Sequence, residues 1–183
     1  SLFAPMLPTI TYGLRGLAYM EVEVEGPSKD LHSGSFGGSV VNPVNALAKM
    51  IASLHDKKGK VTIPGFYDDV VPLSAMERKV YKSLPYSEKT FAKEAGVQVL
   101  DGEAGYTTLE RIWARPTLDC NGIFGGFTGA GAKTIIPAKA TAKISMRLVA
   151  NQDPKKIAAL FTRHIKAIAP KGVKVNVKSL HGG

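Results

Sequence analysis

The chain has 183 residues, 44% of them apolar and 21% charged, with 24 basic against 15 acidic side chains and a net charge of +9. That is enough for one domain with its own core, or one domain carrying an insertion, and no apolar run is long enough to cross a bilayer. The basic residues are spread out with no block of five like charges, which excludes an arginine-rich nucleic-acid arm. The lone cysteine, Cys120, excludes an internal disulfide and favours a reducing compartment.

In chain order, residues 1–10 carry a short apolar stretch without the basic start of a signal peptide. Leu17 to Glu25 alternates, with Ala18, Met20, Val22 and Val24 on one face and Tyr19, Glu21, Glu23 and Glu25 on the other, which predicts a strand with one buried face. A polar, glycine-rich loop follows from Ser28 to Ser39. Asn42 with Pro43 reads as the cap and first position of a helix bearing Val44, Leu47, Ala48, Ile51 and Leu54 at helical spacing. Lys60 to Ile63 reads as a short second strand, and His55 is placed on the preceding helix. Residues 64–116 change character: the pairs Ser74/Glu77 and Thr107/Glu110 fit capping boxes, and short helices are expected over Ala75–Leu84, Glu88–Ala95 and Thr108–Ala114. This segment reads as a helical insertion.

The alternating pattern then returns. Thr117 to Gly122 reads as a strand and Ile123 to Ala132 as a second glycine-rich loop. Ala140, Ala142, Ile144, Met146 and Leu148 alternate with Thr141, Lys143, Ser145 and Arg147 in a long strand. Asp153-Pro154 opens a helix bearing Ile157, Leu160, Phe161, Ile165, Ile168 and also His164, stopped by Pro170 and Gly172. Val173 to Lys178 forms a last strand, leaving His181 at a frayed end. Two amphipathic helices and a mainly antiparallel sheet predict an α+β sandwich of the ferredoxin-like kind, with the insertion at 64–116.

The chemistry offered is sparse. His32, His55, His164 and His181 show no metal-ligand spacing, and Cys120 has no partner, so no metal site is expected in this chain. Gly129 to Thr134 resembles a phosphate loop, but Ala132 precedes Lys133 and the extended Ile135-Ile136-Pro137 replaces the required helix. His32, within Asp30 to Gly38, sits in a loop between strand and helix. Pattern alone leaves it either a ligand contact or an incidental residue of a surface turn. Arg147, on the polar face of its strand, is either a bidentate clamp for a carboxylate or a solvated surface charge. Thr134 offers a hydroxyl to a ligand oxygen.

Several blocks carry a resemblance. Thr9-Ile10-Thr11-Tyr12-Gly13-Leu14-Arg15-Gly16, Asp30-Leu31-His32-Ser33-Gly34 with Phe36-Gly37-Gly38, Pro64 to Val70, Lys133 to Pro137 and Ser145 to Val149 together resemble, in order, the lid domain of carnosinase-like and cytosolic non-specific dipeptidases. The resemblance implies that residues 1–16 are a linker from a missing catalytic domain and that 17–183 form a dimerisation or lid domain, inactive alone. It implies a cytoplasmic parent enzyme hydrolysing dipeptides, with two zinc or manganese ions and a general base in its catalytic domain. It implies a homodimer built through this domain, with neither nucleic acid nor membrane as partner. It maps onto His32 a transition-state contact made in the partner subunit's active site, onto Thr134 a hydroxyl contact to substrate, and onto Arg147 the clamp on the substrate's terminal carboxylate. The competing reading is a basic ferredoxin-like RNA-binding domain. Such a domain displays aromatics on its open sheet face, and the strand Thr141–Val149 offers none.

Overall fold

The computed structural model describes residues 2–4, 7–8 and 13–183. A ribbon of β1 (Leu2–Ala4) and β2 (Leu7–Pro8) is followed by β3 (Gly16–Glu25), β4 (Leu31–His32), α1 (Ser33–Phe36) and α2 (Pro43–Ala52). The insertion contributes α3 (Ala75–Ser83), α4 (Glu88–Ala95) and α5 (Thr108–Ala114). Then come β5 (Thr117–Gly125), β6 (Ile135–Ile136), β7 (Lys139–Leu148), α6 (Pro154–Ile168) and β8 (Lys174–Gly182). Residues Thr9–Tyr12 of the expected linker lie outside the described residues.

The main sheet has four strands in the order β5-β7-β3-β8, every neighbouring pair antiparallel. With α2 between β3 and β5 in sequence and α6 between β7 and β8, this is the ferredoxin-like interleaving. The even-numbered side chains of β3 and β7, from Ala18 to Val24 and from Ala140 to Leu148, are at most 2% exposed. They pack under Leu47 and Met50 of α2 and Ile157, Phe161 and Ile165 of α6. The period-2 pattern of the strands and the 3.6-residue pattern of the helices thus meet in one core. The opposite face carries Tyr19, Glu21, Glu23, Glu25, Lys143, Ser145 and Arg147, all half-buried or exposed.

Both helix starts are built as the sequence suggests. Asn42 accepts from Val44 N at 2.9 Å and Asp153 from Lys155 N at 2.8 Å, each followed by proline at the first turn. Asn42→Ala leaves those amides without their acceptor and is expected to lower stability by about 1 kcal/mol. A urea titration checks this through a lower midpoint at unchanged slope; an unmoved midpoint would show that tertiary packing alone fixes the start of α2.

Four local expectations change. Lys60–Ile63 is not a strand. A single bridge joins His55 to Val61, Val61 N donates to the Tyr67 hydroxyl at 3.0 Å, and Asp56 accepts from the Lys58 and Lys60 amides. A side-chain-tied turn therefore takes the donors that a strand would need, and His55 lies in it, beyond the end of α2. β5 runs to Gly125, passing Gly122 through a bulge. The loop Ser28 to Ser39 contains β4 and the single turn α1. β8 continues to Gly182, so His181 is paired opposite Tyr19 instead of frayed.

The insertion closes on itself. Both capping boxes form, Phe66 enters the core at 1% exposure, and Gln152 donates to the Phe66 carbonyl at 2.7 Å. At its far end Arg115 meets Glu103 through two hydrogen bonds of 2.7 and 2.6 Å. The Arg115 guanidinium also lies over the rings of Tyr67 and Tyr106 at 4.8 and 4.4 Å. Burial pushes the Arg115 pKa down, but the bidentate Glu103 carboxylate outweighs it and the net shift is upward. Residues near the two ends of the insertion, Tyr67 and Arg115, thus touch.

Candidate functional site

The singled-out residues fall into two groups. In the first, β4 and β6 pair with His32 opposite Ile135. Ser33 N donates to the Thr134 carbonyl at 2.9 Å, and Ala138 N donates to Asp30 Oδ1 at 2.9 Å. These bonds fasten the two glycine-rich loops to each other, although their residues stand 102 apart in sequence. His32 Nε2 lies 3.3 Å from Thr134 Oγ1, and both side chains are exposed. The glycines have local duties. A Cβ at Gly34 would stand 2.6 Å from His32 Cε1, so the imidazole rests where only glycine leaves room. A Cβ at Gly37 would collide with the Ser33 carbonyl, and Gly38 has φ of +81°. The glycines thus shape their own loop first. An imidazole beside a hydroxyl, both facing solvent on a pinned loop, can direct hydrogen bonds at a ligand oxygen.

The second group is at the other end of the sheet. Arg147 is exposed and lies in register between Leu17 and Thr117. Asp119 is two residues further along β5 on the same face, opposite Ser145. Arg15 directly precedes β3 with the same parity as Leu17 and Tyr19. Burial holds its guanidinium below the ordinary arginine pKa, the like charge of Arg147 adds to this, and Asp119 opposes it. Pattern reading passed over Arg15 because it stands before the strand; the parity of β3 was the signal that could have found it.

His32 and Thr134 come together, and Arg147 does not join them. β7 carries the chain from Lys139, next to the first group, to Arg147. Eight residues at about 3.3 Å each separate the groups by roughly 26 Å.

The other histidines are apart from both groups. His55 is exposed in its turn. His164 on α6 has a buried Nε2 without a hydrogen-bond partner and a pKa lowered by desolvation. Among the described residues no group of three or more His, Cys, Asp or Glu side chains could hold a metal ion. No helix among them is long and apolar enough to cross a membrane. The RNA-binding reading finds no support. On the open face Lys139, Lys174 and Lys178 are engaged by the carboxylates of Glu21, Glu23 and Glu25, which leaves them less available to phosphates.

The fold is thus a ferredoxin-like sandwich with one exposed group of side chains, His32 and Thr134, at one end of the sheet and another, around Arg147, at the other. Residues 12–173 match the peptidase dimerisation domain family, and the chain belongs to it. It is 40% identical over 181 residues to the Cys-Gly metallodipeptidase DUG1 of Candida albicans, covering 96% of this chain and 37% of that protein. It is 35% identical over 164 residues to the human Beta-Ala-His dipeptidase, covering 90% and 32%. The crystal structure of human carnosine dipeptidase 1 superposes with a TM-score of 0.83 at 34% identity, covering 96% of this chain and 38% of that one. That of the dipeptidase Dug1p from Saccharomyces cerevisiae gives 0.83 at 37% identity, covering 96% and 37%. The chain thus spans about a third of the length of these relatives.

Proposed function

We propose that this chain is the lid and dimerisation domain of a cytoplasmic metal-dependent dipeptidase, whose catalytic domain lies outside residues 1–183 and holds two zinc or manganese ions. The described residues contain no set that fits such ions, so the chemistry assigned to this chain is substrate recognition and oxyanion stabilisation. In this reading Arg147 clamps the terminal carboxylate of the peptide, and His32 with Thr134 contacts the scissile carbonyl.

The observation that carries the reading is the separation of the two groups. A dipeptide spans about 7 Å, too little to bridge roughly 26 Å of strand even with the reach of an arginine side chain. One substrate meets both groups only if they come from two chains, with His32 and Thr134 supplied together by the partner. The β5 edge suits such an assembly. Its outer backbone groups have no strand partner in the sheet, and Ile123 and Phe124 are 51% and 55% exposed beside the loop that leads to Thr134. A second copy pairing there satisfies the edge and covers both side chains.

The test is Phe124→Lys in the full-length enzyme. The expected result is loss of the dimer in sedimentation, with dipeptide turnover falling in proportion to the dimer that remains. A fully active monomer would overturn the reading.

A further inference from the structure

Arg15 and Arg147 lie at the same end of the sheet. Arg115 and Arg78 each have a carboxylate partner, Glu103 and Glu110. Arg111 donates to the carbonyls of Glu103 and Asp101. Arg15 and Arg147, like Arg163 on α6, have neither a hydrogen bond nor an ion pair among the described residues, but Arg147 is near enough to Arg15 for its charge to lower the Arg15 pKa, after the larger effect of burial. Leu17 stands opposite Arg147, and Arg15 lies two residues before Leu17, just ahead of Gly16, the first paired residue of β3; continuing the strand's alternation puts it on the same side as Leu17. Arg15 is half-buried, so its charge is incompletely screened by water. Two guanidinium cations against the single Asp119 carboxylate leave one positive charge uncompensated, and a bound monoanion relieves that repulsion.

The geometry points to Arg15 as a second substrate contact: with Arg147 it forms a two-guanidinium clamp that takes the C-terminal carboxylate of a peptide. This rests on the assignment of Arg147 to that carboxylate. Each carboxylate oxygen then meets its own planar fork, and the charge count selects a single carboxylate over a doubly charged group. Specificity for a free peptide C-terminus is the consequence, because an amide neutralises nothing here and leaves the arginines as they were.

The test compares kcat/KM for one dipeptide and for its C-terminal amide in the full-length wild type, Arg15→Gln, Arg15→Lys and Arg147→Gln. The acid-to-amide ratio cancels any difference in the fraction of folded enzyme. Arg15→Gln is expected to lower the acid about 10- to 100-fold and the amide by less than about threefold, the worth of one charged hydrogen-bond partner. Arg15→Lys should recover part of the ratio, since the charge returns without the planar fork. An unchanged ratio in Arg15→Gln with a collapsed ratio in Arg147→Gln overturns the role of Arg15 and leaves that of Arg147 standing. An unchanged ratio in both overturns the carboxylate assignment of Arg147, and the role of Arg15 with it.

Discussion

His32→Ala in the full-length enzyme is expected to lower dipeptide turnover about 10²–10³-fold, the usual cost of removing one donor to a developing oxyanion. The fold should not notice. His32 is exposed and its one side-chain neighbour is Thr134 Oγ1 at 3.3 Å, so the thermal midpoint and bound metal should match wild type. The arrangement in two chains makes a stronger demand. A His32→Ala enzyme is mixed with one lacking the general base of its catalytic domain, and subunits are allowed to exchange. Both parents are nearly inactive, but one site in each mixed dimer unites an intact catalytic domain with an intact His32. Random exchange across a two-fold interface returns about a quarter of wild-type activity. Demonstrated exchange without recovery would mean that His32 serves its own subunit or no site at all.

Arg147→Ala should cost about 2–5 kcal/mol of transition-state binding, the penalty for leaving a desolvated charge unpaired, which is about 30-fold to several thousandfold in kcat/KM. Its side chain leaves no cavity, because it stands on the open face and belongs to no part of the core. Stability should therefore change by no more than about 0.5 kcal/mol. Arg147→Lys should also be damaging, since an ammonium cannot reproduce a planar two-point clamp. Turnover within a few-fold of wild type in Arg147→Ala would remove the carboxylate assignment.

How much of this was legible follows from what each signal depends on. β3, β7, α2 and α6 were readable because their patterns are local and unbroken, and because Asn42 and Asp153 mark the helix starts. Lys60–Ile63 misled because four alternating residues cannot show that a distant hydroxyl, that of Tyr67, will take the Val61 amide. The glycines from 125 onward made residues 123–125 look like the start of a loop, whereas a bulge between Cys120 and Gly122 lets the strand run on to Gly125. For the site, periodicity said nothing about His32 meeting Thr134 across 102 residues. The family resemblance named both residues but gave them separate roles, with Thr134, like Arg147, as a substrate contact; their meeting, and the separation from Arg147, needed the pairing of β4 with β6 and the sheet order. Arg15 needed the register as well, because the charges that act on it, Arg147 and Asp119, come from two other strands.

The position of β3 in the sheet also sets when the domain can form. Each residue of this strand finds its partners on β7 and β8 more than a hundred residues further along. At ordinary synthesis rates the strand waits on the order of ten seconds for its first neighbour. Until then the apolar side of β3 has only α2 and the few core residues synthesised before β7, such as Leu54, Val61, Ile63 and Phe66, to shelter it. Pairing at such sequence separation is slow in any case, since loop closure must come before the contacts that reward it. Meanwhile the three short capped helices of the insertion rely on local contacts and can order ahead of the sheet. Nascent chains halted before β7 is complete therefore present an unpaired apolar strand, the species that chaperones bind and that aggregates form from.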